Sequence, residues 1–294
     1  LVARESRLLL SATETSLRDD QMLTIEGFET QRIRTSGADI HLESGGNGPP
    51  LLLLHGYPQT HLLWRKIAPA LARDFTVICP DMRGYGDSSR PASDASHSPY
   101  SKRVMAQDMV EVMGALGFGQ FSVAAHDRGA RVSHRMALDH PDRVSRLVLM
   151  DIVPTRYRFQ HVDKGVATKG YHWYFLIQPG GLPERLIGAD TEFFLRHTLA
   201  SWTAVEGAHE EAVMQDYLRC FSDPEMIHAT CEDYRAGATI DLTHDEEDID
   251  RKIACPVHIL WGDRSIQGSR FSLLDVWRER ATTVTGQALP CGHF

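Results

Sequence analysis

The segment 121–131, FSVAAHDRGAR, passes from an apolar run of strand length into a helical pattern. Its centre, 125–129 (AHDRG), holds the acidic residue Asp127 between two small residues. Small flanking residues let the backbone turn sharply from a strand into a helix and lift the central side chain above the sheet. A carboxylate there can displace a leaving group from a saturated carbon, which leaves an ester to be hydrolysed. The segment therefore predicts a nucleophilic Asp127; the alternative is that Asp127 only caps the following helix.

Strand-like and helical patterns alternate on both sides of this segment. Residues 31–35 and 38–43 alternate polar and apolar side chains, which predicts a hairpin at a sheet edge. Further strands are predicted at 50–55, 75–79, 121–125, 146–150, 256–261 and 282–289, and helices at 61–73, 100–116, 129–139 and 269–280. This alternation predicts the α/β class with a mostly parallel, doubly wound sheet.

The pattern changes between the sixth and seventh predicted strands. Residues 153–242 are rich in aromatic side chains and helical in pattern, so we expect a helical cap inserted into the sheet domain. Residues 22–152 and 243–294 then form the core, which is within the size of one large α/β domain. Residues 1–21 precede a more ordinary beginning at Met22, and we expect them to be a disordered extension.

Composition argues against several classes of function. The formal net charge is −8 and no basic run has the length of a nucleic-acid-binding arm, so DNA and RNA are not expected partners. No apolar stretch approaches the ~20 residues that span a bilayer, so no membrane association is expected. The five cysteines are scattered without a Cys-x-x-Cys pair, as in a reduced cytoplasmic protein. The 15 histidines show no metal-binding spacing, and neither a metal nor a cofactor is predicted.

Two further segments supply candidate partners for Asp127. The loop 55–58 (HGYP) follows a buried strand and can aim the Tyr57 backbone N–H at the site. Together with the backbone N–H of Arg128, that donor would form an oxyanion hole. His293 follows the last predicted strand, where a general base is expected. An ordinary strand-to-helix turn and a surface histidine are the alternative interpretations.

Two acidic residues compete to orient His293. Asp151 ends the predicted strand 146–150, and Asp263 follows the next strand along the chain. Either position can carry the acid that holds a catalytic histidine. We favour Asp151, and Asp263 is then a loop residue.

Taken together, these motifs resemble those of the haloacetate dehalogenases, and among them the fluoroacetate dehalogenases. The resemblance extends from about Thr24 to Phe294 and is carried by HGYPQTH (55–61), HDRGAR (126–131), DIVPT (151–155), YHW (171–173) and CEDYRAG (231–237). It implies the α/β-hydrolase fold with an inserted helical cap. It also implies a small haloacid substrate, with fluoroacetate foremost, that is hydrolysed to glycolate and halide through an aspartyl ester.

The resemblance further implies roles for individual residues. The family's nucleophile, acid and base fall on Asp127, Asp151 and His293; its two substrate-carboxylate arginines fall on Arg128 and Arg131; and its halide-binding residues fall on His172, Trp173 and Tyr234. The two arginines are three residues apart and so share one helix face. N–H and O–H donors suit a departing halide because their hydrogen bonds strengthen as charge develops.

Rival functions are open at this point. An epoxide hydrolase or a haloalkane dehalogenase shares the aspartate nucleophile, and Tyr171, Tyr174 and Tyr234 are available to protonate an opening epoxide ring. Neither of these enzymes needs paired arginines beside the nucleophile. A non-catalytic member of the fold that binds a small carboxylate is a rival from another class.

The resemblance also carries two expectations about assembly and stability. The family continues past its catalytic histidine into a final helix that packs on the sheet, whereas this sequence ends at Phe294. We therefore expect exposed apolar sheet surface, lower stability and a poorly held His293. The resemblance alone suggests a homodimer, and it leaves the preferred haloacid open.

Overall fold

One mixed β-sheet organises the protein. The structure, a computed structural model, describes residues 23–294, so the predicted extension 1–21 lies outside the described residues. The strands are β1 (Glu29–Arg34), β2 (Asp39–Gly45), β3 (Pro50–Leu54), β4 (Thr76–Pro80), β5 (Phe121–His126), β6 (Val144–Met150), β7 (Val257–Gly262) and β8 (Val284–Leu289). Their order across the sheet is β1-β2-β4-β3-β5-β6-β7-β8.

The pairing of the strands confirms the predicted, mostly parallel architecture. β1 and β2 form the predicted hairpin, and β2 is antiparallel to β4. All other neighbouring strands are parallel. The central strand β3 is apolar throughout 51–54, and all four leucines are buried. Such a run is typical of a parallel strand that is covered on both faces.

Helices connect and cover the strands. They are α1 (Ala68–Leu71), α2 (Lys102–Ala115), α3 (Asp127–Asp139), α4 (Thr155–Gln160), α5 (Lys164–Lys169), α6 (His172–Phe175), α7 (Leu182–Ala189), α8 (Thr191–Trp202), α9 (Glu211–Phe221), α10 (Pro224–Ala238), α11 (Ile240–Glu247), α12 (Ile266–Arg270) and α13 (Leu273–Arg278). Within the described part of the chain, no helix is both long and apolar enough to cross a membrane.

Two of the predicted helices are broken. The segment 61–73 forms a 3-10 turn, His61–Trp64, followed by the four-residue α1. Pro69 lies at the start of α1 and lacks the N–H that a continuous helix would require. The segment 269–280, predicted as one helix, contains the end of α12 and the whole of α13. Phe271 is extended there and packs edge-on against Tyr157, a contact between distant segments that a local pattern does not encode.

The chain between β6 and β7 is helical, from α4 to α11. Its helices share one apolar core with the sheet, because buried residues such as Trp173 and Tyr217 belong to the same cluster as Leu54. The predicted division into 22–152, 153–242 and 243–294 stays a prediction. Because of this shared core, side chains from the helical segment pack directly over the ends of the strands, where the candidate site lies.

We expect the core to respond strongly to truncation at Leu53, which is 0% exposed in β3. Leu53→Ala removes buried apolar surface and leaves a cavity, so it should lower the free energy of unfolding by about 2–5 kcal/mol in urea denaturation. Leu186→Ala in α7 is the matched control, since Leu186 is 55% exposed and surface changes stay within about 0.5 kcal/mol. Equal effects of the two substitutions would contradict the assigned core.

Candidate active site

Asp127 occupies the sharp turn between β5 and α3. It is the first residue of α3 and has a φ of 45°, a left-handed conformation that is uncommon for a residue with a side chain. Two glycines make this turn sterically possible. A Cβ on Gly56 would lie 2.5 Å from the Cβ of Asp127, and a Cβ on Gly129 would lie 2.3 Å from the carbonyl oxygen of His55. The N-cap of α3 is His126, so Asp127 does not have the capping role of the alternative interpretation.

The carboxylate of Asp127 is buried and ionised. Its Oδ2 accepts a hydrogen bond of 3.1 Å from the backbone N–H of Tyr57. Burial raises the pKa of Asp127, but the neighbouring imidazoles and guanidinium groups outweigh burial and hold that pKa below its ordinary value; they belong to His293, His126, Arg128 and Arg131. The backbone N–H of Arg128 lies in the first turn of α3, where N–H groups have no helical acceptor. The Tyr57 N–H thus contacts this carboxylate, and the role of the Arg128 N–H as second donor stays a prediction.

His293 is paired with Asp151. The Nδ1 of His293 lies 2.5 Å from Oδ2 of Asp151, whose Oδ1 accepts hydrogen bonds from the Ser265 hydroxyl at 2.6 Å and the Gly262 N–H at 3.2 Å. Burial lowers the pKa of His293, but the hydrogen bond and charge of Asp151, together with Asp127, outweigh burial and raise it above 6.5. The rival acid, Asp263, has a side chain that is 52% exposed and lies 3.6 Å from Arg264.

The loop that carries His293 is tied to both the sheet and the helical segment. The N–H of His293 donates to the carbonyl of Trp202 at 2.9 Å, and its own carbonyl lies 2.9 Å from Nε2 of His126. A Cβ on Gly262 would lie 1.9 Å from the carbonyl oxygen of Gly292, so the end of β7 packs closely on this loop. Contrary to the expectation of a poorly held His293, the described structure holds this loop on two sides, through the carbonyl of Trp202 and the imidazole of His126.

The two predicted carboxylate-binding arginines have different surroundings. Arg128 is fully buried, and its guanidinium donates to both carboxylate oxygens of Asp233 at 2.8 Å, which leaves only Nη1 without a partner. Arg131 donates through Nη1 to the carbonyl of Val153 at 2.9 Å and to the hydroxyl of Thr155 at 3.1 Å. Its Nε and Nη2 have no partner. Burial, helped by Arg128, lowers the pKa of Arg131 to about 10, so this group is still a cation at neutral pH.

The predicted halide-binding residues cluster around these arginines. Arg131 lies 4.5 Å from the centre of the Trp173 ring, and Arg128 lies 4.1 Å from the centre of the Tyr234 ring. The rings of Trp173 and Tyr234 are 5.6 Å apart, and His172 lies 5.7 Å from Tyr234. The Tyr234 hydroxyl and Nδ1 of His172 are buried without partners. Burial lowers the pKa of His172 to about 3, so its imidazole is neutral.

Asp127 opens onto a cavity of about 420 Å³. The lining includes the predicted residues His172, Trp173 and His293, whereas the predicted Arg128, Arg131 and Tyr234 are not among the lining residues. It also includes Arg158 and Trp202, which the sequence did not indicate. Trp202 lies at the end of α8, where its ring is 4.4 Å from that of His172. No local signal marks either residue, because both reach the cavity only through the packing of the helical segment on the sheet.

A second group of ligand-capable side chains, His41, Glu43 and His61, lies on β2 and the turn after β3. His61 contacts Asp81 at 2.9 Å and Glu43 at 3.5 Å. Burial lowers the pKa of His61, but Asp81 and Glu43 outweigh burial and raise it to about 10. These contacts join His61, Asp81 and Glu43 in a buried ion-pair network.

A strained carboxylate on a strand-to-helix turn, followed along the chain by an acid and a histidine in contact, is the arrangement of the α/β hydrolases. Residues 49–279 match the family model described as the alpha/beta hydrolase fold. The chain belongs to the α/β-hydrolase family. The fold inferred from the sequence is thereby confirmed.

Comparison with individual members of this family refines the similarity. The chain is 44% identical to the fluoroacetate dehalogenase of Burkholderia sp., over 92% of this chain and 89% of that protein. It is 35% identical to the soluble epoxide hydrolase of Corynebacterium sp. strain C12, over 88% of both chains. A solved structure of an α/β-hydrolase-like protein from Nostoc sp. PCC 7120 superposes with a TM-score of 0.91 and 58% identity, covering 92% of this chain and 93% of that one. The resemblance to the haloacetate dehalogenases is confirmed by the first of these similarities.

We expect the charge of Asp151 to control the titration of His293. Asp151→Asn removes the charge that offsets burial, so the pKa of His293 should fall, as measured by NMR titration of its imidazole resonances. Asp263→Asn is the matched control, because it makes the same change at the exposed rival acid. A fall in the pKa of His293 in the Asp263 variant, with none in the Asp151 variant, would reverse the assignment.

Proposed function

We propose that this α/β hydrolase is a haloacetate dehalogenase that converts haloacetates, including fluoroacetate, to glycolate and halide. The observation that carries the proposal is Arg131. Its guanidinium is buried near an ionised Asp127, and two of its nitrogens lack partners. A buried unpaired cation is costly unless an anion binds it. A substrate carboxylate would complete its hydrogen bonds, with Nη1 of Arg128 as a second donor.

In the first proposed step, Asp127 displaces the halide. Its Oδ2 is held by the Tyr57 N–H, so Oδ1 is the oxygen that attacks the α-carbon of the substrate. The carbon–halogen bond breaks as the new carbon–oxygen bond forms, and the halide leaves with the bonding electrons. Hydrogen bonds from His172, Trp173 and Tyr234 stabilise the developing charge, and this help matters most for fluoride, which is a poor leaving group.

In the second proposed step, His293 removes a proton from water, which attacks the carbonyl carbon of the Asp127 ester. The negative charge then develops on Oδ2, beside the Tyr57 N–H, with the Arg128 N–H as the proposed second donor. Asp151 orients the imidazole and stabilises its protonated form. Glycolate departs, and the carboxylate of Asp127 is restored with one oxygen from water.

Epoxide hydrolysis is the second candidate, because a soluble epoxide hydrolase is among the relatives. The buried, unpartnered hydroxyls of Tyr57 and Tyr234 could protonate an epoxide oxygen, and their rings are 5.3 Å apart. An epoxide is neutral, however, and would bring no carboxylate to accept hydrogen bonds from the unpartnered Nε and Nη2 of Arg131. The charge of the site therefore favours the acid substrate.

The proposal also covers the cellular compartment of the enzyme. The five cysteines are all free thiols, which is typical of a reducing compartment, and we propose that the enzyme acts in the cytoplasm. A homodimer stays a prediction.

We expect two substitutions to separate the steps. Asp127→Asn removes the nucleophile and should lower kcat for halide release by at least ~10³-fold. His293→Ala should permit one displacement and then stop, so intact-protein mass spectrometry after incubation with chloroacetate should show one carboxymethyl adduct per chain, located on Asp127. The adduct should persist because the variant lacks the base that activates water for hydrolysis of the ester.

The double variant Asp127→Asn/His293→Ala is the control for that adduct. It should gain no mass under the same conditions, because a neutral amide replaces the nucleophilic carboxylate. An adduct on another residue, or full steady-state turnover by His293→Ala, would contradict the proposed roles.

A further inference from the structure

A third arginine, Arg158 in α4, faces the same cavity as Asp127. Its side chain is 1% exposed, and its single hydrogen bond is a long one of 3.4 Å to the carbonyl of Val166. Its Nε and Nη1 are buried without partners. A Cβ on Gly170 would lie 2.0 Å from Nη2 of Arg158, so the glycine provides the space that this guanidinium occupies.

No carboxylate neutralises Arg158 within residues 23–294, and burial lowers its pKa. Its guanidinium carbon lies 5.6 Å from the centre of the Trp173 ring, on which Arg131 also packs at 4.5 Å. A cation–π contact compensates a buried cation only in part. The structure thus holds an unpaired guanidinium in the cavity wall that the proposed chemistry on haloacetate does not use.

The three buried arginines differ in whether a carboxylate of the protein pairs with the guanidinium. Arg128 is paired with Asp233, which Lys102 also contacts. Arg131 and Arg158 have no carboxylate partner in the described part of the chain. A haloacetate brings one carboxylate, which can satisfy Arg131 and Nη1 of Arg128. The Nε and Nη1 of Arg158 are then left as hydrogen-bond donors for a second anionic group.

The cavity has room for a longer acid. Its volume of about 420 Å³ lies in the range of pockets that hold ligands much larger than haloacetate, which has only a handful of non-hydrogen atoms. Lys169 and Arg264 also line it and are exposed, so positive charge extends from Arg158 toward solvent. Among the lining residues, Asp127 is the one carboxylate.

We propose that Arg158 binds a second carboxylate, and that the substrates of this enzyme include 2-halo dicarboxylates such as 2-chlorosuccinate. The inference rests on the proposed dehalogenation. The chemistry is unchanged: Oδ1 of Asp127 forms a bond to the halogen-bearing carbon, chloride leaves with the electron pair, and water hydrolyses the ester. The products are malate, chloride and one proton, which His293 passes to solvent.

The test compares 2-chlorosuccinate with 2-chlorobutyrate, which has the same number of carbons and one carboxylate fewer. Chloride release gives kcat/KM for the wild type, Arg158→Met and Arg158→Lys. We expect Arg158→Met to lower kcat/KM for 2-chlorosuccinate by ~10- to 100-fold, as for loss of a charge-assisted hydrogen bond. The value for 2-chlorobutyrate should change less than ~3-fold, and Arg158→Lys should recover part of the loss.

Arg156→Met is the matched control. Arg156 lies on the same helix, but it is paired with Glu246 at the surface, so its loss should alter neither substrate. A merely structural role of Arg158 would lower turnover of both acids together. Equal losses on both substrates, or no preference of the wild type for the dicarboxylate, would overturn the inference.

Chloroacetate separates this inference from the proposed function. Turnover of chloroacetate without turnover of 2-chlorosuccinate overturns the role of Arg158 and leaves the dehalogenase intact. If no substrate releases halide, the proposed dehalogenase activity is refuted. A binding experiment then tests separately whether Arg158 binds a second carboxylate. Tryptophan fluorescence should report tighter binding of succinate than of butyrate, with the difference lost in Arg158→Met; equal binding of the two acids by the wild type would refute a second carboxylate site.

Discussion

The site depends on a single constraint, the left-handed backbone of Asp127 between β5 and α3. A residue with a side chain holds such a conformation at a cost of about 1–3 kcal/mol, and only where its surroundings fix it. Here the carbonyl of His55 accepts the N–H of Gly129 at 2.9 Å, and Gly56 lies against the Asp127 side chain. These contacts bring β3 and α3 so close that Oδ2 of Asp127 meets the Tyr57 N–H. The turn thus sets both the position of the nucleophile and the place where negative charge would gather.

The charges at the end of the sheet are the basis for proposing an acid substrate. Asp127 and His293 affect each other in opposite directions: the histidine lowers the pKa of the carboxyl, and the carboxylate raises the pKa of the imidazole. Buried guanidinium groups lie near these two side chains, and one of them is paired with Asp233. A neutral substrate would leave the remaining positive charge uncompensated, whereas an acid would neutralise it and orient its own α-carbon. The electrostatics of the site and the similarity to a fluoroacetate dehalogenase point to the same class of substrate.

Much of this arrangement is predictable from the sequence because it is local. Apolar runs predicted the central strands, and the small-x-Asp-x-small pattern predicted the turn at Asp127. The sequence favoured Asp151 over Asp263 as the partner of His293, but the strand pattern alone left both open, since both acids follow neighbouring strands and only the loop geometry separates them. Asp233 and Arg158 were beyond sequence reasoning, because each reaches the site through packing of distant helices. Two predicted helices are broken for reasons that the helical pattern does not contain. Near Pro69 the missing N–H of proline interrupts the helix, and near Phe271 a contact with a distant segment does.

The proposed reaction passes through an ester on Asp127, and a single turnover in water labelled with oxygen-18 distinguishes this route from direct attack by water on the substrate. With enzyme in excess over chloroacetate, we expect unlabelled glycolate and one labelled oxygen in the peptide that contains Asp127, since water attacks the ester carbonyl. Repeated turnover should then transfer the label to glycolate. Labelled glycolate in the first turnover, with an unlabelled Asp127, would mean that water attacks the substrate directly and would rule out the ester on Asp127.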